Sequence, residues 1–146
     1  MAVPLKSSWP AVVAEPLSIS KLEIVVLHTN VATTVSALKT AAELALGLAP
    51  VRLLAVQVVP YPLSLNAPPI SVEFLERRFA EMAQEAAVEA TVDIRLARDA
   101  ADVVESEIGP HNIVVIGGRR RRWWPTAAMR LARRLERLGH QVVFTN

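Results

Sequence analysis

Residues 112–125 read NIVVIGGRRRRWWP, and the change of character within them decides the fold. Ile113, Val114, Val115 and Ile116 form an apolar run with no polar interruption, the mark of a strand buried on both faces in the middle of a parallel sheet. Gly117 and Gly118 follow at once. That puts them outside the carboxyl end of the strand, where an open α/β sheet binds its ligands. Four arginines, two tryptophans and a proline complete the stretch, which says where a ligand would sit before it says what the ligand is.

The same kind of run recurs over residues 22–28, centred on Ile24, Val25, Val26 and Leu27, and over residues 51–59. Residues 91–96 differ. Val92, Ile94 and Leu96 alternate with Asp93 and Arg95, so this strand is half exposed and belongs at an edge. A fifth strand closes the chain over residues 141–145.

Between the strands the apolar period changes to that of helices. Thr33 or Thr34 is expected to cap the first, whose stripe is Leu38, Ala41, Ala45 and Leu48, with Gly47 and Pro50 at its end. Pro60, Pro62, Pro68 and Pro69 mark a stiff exposed loop. Ser71 opens a second helix with Val72, Leu75, Phe79, Met82 and Ala86 inward and Glu73, Arg77, Glu81 and Glu85 outward. A short third helix over residues 100–108 takes Asp99 and Asp102 as cap and first-turn acid, and stops at Gly109 and Pro110. Thr126 caps the last, with Ala128, Leu131, Ala132, Leu135 and Leu138 inward. Arg130, Arg133, Arg134 and Arg137 line its outer face at spacings of three and four, and Gly139 closes it.

Strand and helix alternate four times before a final strand, which predicts an α/β, doubly wound, Rossmann-like fold: an open five-stranded parallel sheet with helices on both faces. The first and fourth strands are the most apolar and the third the most exposed, giving the order 3-2-1-4-5. The ligand crevice then lies between strands one and four, at residues 29–33 and 117–126.

At 146 residues the chain has room for one domain with a substantial core. Residues 1–20 contain Pro4, Pro10 and Pro16 and no sustained period, so they read as an arm preceding a domain of residues 21–146. Trp9, Val12, Val13, Leu17 and Ile19 make that arm apolar enough to be expected to pack on the domain or on a second subunit. Cysteine is absent, which excludes disulfides, thiol catalysis and thiolate metal sites and suits a reducing cytosol. The first residues do not read as a signal peptide, and no apolar run is long enough to span a membrane. The net charge is only +2, yet eight of the sixteen basic residues fall between Arg119 and Arg137, against one acid, Glu136. Such asymmetry points to an anionic partner or to a well-solvated surface.

From residue 21 onward the chain resembles the universal stress protein family. The resemblance rests on element order, on IVVLHTNVATTVSALKTAAELA in the first strand and helix, on VQVVPYP closing the second strand and on VVIGG closing the fourth. It implies a small cytoplasmic doubly wound domain, a homodimer, and in one branch ATP binding. In that branch an aspartate ends the first strand; here the matching residue is Thr29. The branch also carries G-x-x-G, nine residues and then Gly-Ser or Gly-Thr. Here Gly117 fits the first glycine, Arg120 takes the second place, and four residues precede Pro125 and Thr126. A backbone cradle for phosphates needs glycines for close approach and left-handed turns, and Arg120 does not supply one.

The expected ligand or anion site therefore comprises His28, Thr29, Asn30, Gly117, Gly118, Arg119, Arg120, Arg121, Arg122 and Thr126. For the arginine run two readings stand: an anion clamp assisted by helix amides and a stacking tryptophan, or a solvated loop whose tryptophans pack on the domain or on a partner. The helical arginine stripe reads as a solvated face, with nucleic acid as the less favoured alternative. His28 reads as a satisfied polar residue at a strand end rather than a catalyst. His111 and His140 belong to the opposite edge and make no metal site, and no nucleophile elbow or Walker loop occurs. The expectation is a homodimeric binding or regulatory module that requires no cofactor and lacks the standard ATP site, paired through the strand from Val142 to Thr145; no constellation in the sequence identifies an enzyme. An adenine nucleotide on a remodelled loop, or a polyanion on the arginines, is the alternative.

Overall fold

The computed structural model describes residues 22–109, 112–118 and 127–145. The elements run β1 (Ile24–Leu27), α1 (Val31–Ala45), β2 (Val51–Val58), α2 (Val72–Glu85), β3 (Thr91–Ala97), α3 (Ala100–Glu107), β4 (Ile113–Gly117), α4 (Ala127–Arg137) and β5 (Gln141–Thr145). All strand pairs are parallel, in the order β3-β2-β1-β4-β5. Leu27 at the end of β1 lies beside Leu54 of β2 and Ile116 of β4.

The continuous apolar runs have the cause expected of them, since side chains that alternate along a central strand meet helices on both faces. Ile24, Val26, Leu53 and Val115 pack with Ala37, Leu38 and Ala41 of α1 and Phe79 and Met82 of α2. On the other face Val25, Leu27, Leu54, Val114 and Ile116 meet Val104 of α3 and Ala132 and Leu135 of α4. Leu38, Leu53, Leu54 and Leu135 have no exposed surface, and each such burial is worth about 1.5–3 kcal/mol over exposure.

Four local expectations are corrected. The cap of α1 is Asn30, not Thr33 or Thr34: its backbone is extended and its Oδ1 accepts from the Thr33 amide at 3.0 Å. Thr33 and Thr34 are already helical. Leu48 is 90% exposed, because α1 ends at Ala45 and the left-handed Leu46 and Gly47 carry the chain out of helical phase. Leu138 is also exposed, lying beyond the last turn of α4 where Gly139, with φ of 95°, reverses the chain. On α2, Phe79, Met82 and Ala86 are buried as expected, whereas Val72 and Leu75 in its first turn are only half-buried. The N-terminal arm and the Thr126 cap lie outside the described residues.

At the amino edge of the sheet an ion network holds what local periodicity does not reveal. Arg52 donates to Glu23 at 3.1 Å, to Asp93 at 2.9 Å and to the Glu107 carbonyl at 2.8 Å. Arg95 joins Asp93 at 2.8 Å and Glu107 at 3.1 Å. Burial alone would raise the Asp93 pKa, but hydrogen bonds and charge from Arg95 and Arg52 together hold it below the usual carboxylate range. These pairs tie β1, β2, β3 and the end of α3 together. They also place charges on β3, which blunts it as a pairing edge.

Candidate functional site

β1 feeds α1 and crosses to β2, while β4 feeds α4 and crosses to β5 on the other side. The loops after β1 and β4 therefore diverge, and a crevice of about 930 Å³ opens at the carboxyl edge between them. Of the expected site residues, His28, Thr29, Asn30, Gly117 and Gly118 all border it. Arg119, Arg120, Arg121, Arg122 and Thr126 lie outside the described residues. The fold also brings in residues that the sequence reading did not place there: Asp99, which caps α3, and Arg130 and Arg134 of α4. Leu27, Val56, Val104, Leu131 and Phe144 add apolar surface.

His28 borders the crevice, but its ring is held on the α1 side. Its Nδ1 lies 2.7 Å from the Thr34 hydroxyl, and that hydroxyl donates its single proton to the Asn30 carbonyl at 2.6 Å. Thr34 can then only accept from His28, so the neutral imidazole carries its proton on Nδ1. Phe79 meets the ring edge-on at 4.7 Å, and burial lowers the His28 pKa. This is the satisfied strand-end histidine of the sequence reading.

Gly117 and Gly118 have different tasks. A Cβ on Gly117 would collide with the backbone oxygen and side chain of Thr33, so this glycine lets the first turn of α1 seat against β4. Gly118 has φ of +116° with open space around it, and its amide donates to the Thr145 carbonyl at 2.6 Å. The first glycine thus serves packing, and the second serves the turn.

Two of the four α4 arginines reach the crevice. Arg130 and Arg134, one turn apart, line the crevice. Arg134 pairs with Glu105 of α3, joining the two helices that wall it. Arg133 and Arg137 are exposed and do not line it, the Arg137 Nε donating to the Arg133 carbonyl at 3.4 Å. On the α3 wall Asp99 Oδ1 accepts from the Ala101 amide at 2.9 Å. Among the described residues no cluster of three His, Asp or Glu side chains is placed to hold a metal ion, and no helix is long and apolar enough to cross a membrane.

Among solved structures the chain is similar to the universal stress protein from Archaeoglobus fulgidus, with a TM-score of 0.59 and 14% identity. The match covers 88% of this chain and 95% of that one. At that identity the likeness is one of fold. No family model and no curated protein matches the sequence.

Proposed function

We infer that the protein is a homodimeric binding or regulatory module of the universal stress protein type, whose crevice takes a small ligand without the standard ATP site. The observation that carries this reading is the pairing of Gly117 with Thr33. Packing against Thr33 of α1 by itself requires a glycine at the position that matches the first of the ATP motif, so Gly117 is accounted for without a phosphate. Thr29, in place of the aspartate found in the ATP-binding branch, lines the same crevice and supports the same conclusion.

Dimerisation is supported by the contrast between the sheet edges. β3 carries Asp93 and Arg95, whereas Val142, Val143 and Phe144 of β5 are half-buried and uncharged. An open edge of that kind suits antiparallel pairing with its own copy about a two-fold axis, because one patch then serves both subunits. Among the described residues that line the crevice none is a nucleophile paired with a base, and a binding role is the reading favoured over catalysis.

Native mass spectrometry of the purified protein tests both parts at once. The expected spectrum is a dimer without adenine nucleotide. A monomer, or a dimer retaining ATP, would overturn the corresponding part.

A further inference from the structure

Two groups of large apolar side chains lie exposed at opposite ends of the sheet. One follows β2 at the carboxyl edge and includes Val58, Tyr61, Ile70 and Phe74. The other is at the amino edge: Leu44 in the last turn of α1, Leu46 and Leu48 in the turn beyond it, and Leu22 ahead of β1. Leu46 is 76% and Leu48 90% exposed. Leu46 also stands at φ of 52°, where glycine or asparagine is the ordinary residue. The turn itself needs neither leucine, and exposed leucines grouped in this way mark a surface that something covers.

The Ile24 amide donates to the Pro50 carbonyl at 3.0 Å, so the chain enters β1 alongside that same turn. Ahead of the first described residue, residues 17–20 read LSIS, with Leu17 and Ile19 alternating with Ser18 and Ser20. A period of two belongs to an extended segment with one face covered and the other in water. Leu17 and Ile19 precede Leu22 by five and three residues, so they lie within about 18 Å and about 11 Å of it. The carboxyl-edge group is beyond that reach, since β2 alone, Val51–Val58, spans about 23 Å.

We propose that residues 17–20 lie across the amino edge of their own chain, with Leu17 and Ile19 on Leu46 and Leu48. The occupant of the leucine surface is then the chain's own entry segment rather than a second copy or another protein. Covering these side chains takes the patch out of water. The contact is made within one chain and is independent both of the pairing inferred for β5 and of the crevice.

The test uses the full chain. At a site that nothing covers, Leu48→Ser leaves stability unchanged. With Ile19 upon it, Leu48→Ser and Ile19→Ser should each lower the urea midpoint by about 0.5 M. The double variant should lose clearly less than the sum, because removing one partner leaves the other little to lose. Methyl NMR of uniformly labelled protein should show nuclear Overhauser contacts from Leu17 or Ile19 to Leu46 or Leu48. Isotope-filtered spectra of mixed labelled and unlabelled chains should show none of them. Filtered contacts would put a second copy on the leucines, and absence of contacts from both samples would leave the surface to another partner; either result overturns the proposal. Additive losses of midpoint, or no loss in either single variant, overturn it as well.

Discussion

Gly117 lies against Thr33 so closely that no side chain fits between the end of β4 and the first turn of α1. Replacing Gly117 with alanine should lower stability by about 1–3 kcal/mol, the usual cost of forcing extra volume into packed structure. Urea unfolding measures it. Because the collision includes the Thr33 backbone oxygen, a compensating Thr33→Ala should restore only part of the loss. Wild-type stability in Gly117→Ala would refute the close-packing role.

Arg52 gathers Glu23, Asp93 and Glu107 at the opposite edge. Arg52→Met leaves those carboxylates without their shared cation and should cost up to about 3 kcal/mol, the lower end for breaking a buried pair. The depressed Asp93 pKa fixes the sign of its pH dependence. Its stabilisation is complete above the ordinary value of 3.8 and is lost as pH falls through the lower folded value. Acid unfolding of Arg52→Met should therefore begin at higher pH than in the wild type, and coincident acid limbs would count against the network.

His28 makes a separate contribution. Its folded pKa lies below 6.5 because burial penalises the charged ring, so the unfolded chain binds the proton more readily. Stability is then full above pH 6.5 and declines as pH falls from there toward the folded value. His28→Gln should flatten the stability profile in that window while leaving the Asp93 limb in place. Denaturant midpoints at a series of pH values supply the comparison, and an unchanged slope in the variant would show that another group titrates there.

The sheet order was legible because continuous apolar runs and one alternating strand each report how many faces are covered. The crevice followed from that order, which is why His28, Thr29, Asn30, Gly117 and Gly118 could be assigned to it from sequence. Asp99 was read as a cap, and it is one, but its place at the crevice required recognising that the end of β3 opens on the same edge. The ion network was not legible, since Arg52 meets Glu23 and Asp93 across 29 and 41 residues and no local period encodes such pairs. Leu48 and Leu138 were misplaced because a helical period continues on paper past the turns that end the helix.

The β5 edge tests the proposed assembly. Val143→Pro removes one amide donor from a strand that pairs with β4 on only one side, so it should lower the dimer fraction while the other strands remain folded. Light scattering with circular dichroism on the same samples reads both quantities. A wild-type monomer at about 100 μM, where even modest affinity would populate a dimer, would contradict pairing through β5.

The most direct measurement is a calorimetric titration of the protein with ATP and magnesium. With Thr29 at the end of the first strand and Gly117 accounted for by its packing against Thr33, the account predicts no binding tighter than about millimolar, an affinity worth only about 4 kcal/mol. A saturable micromolar isotherm would contradict it.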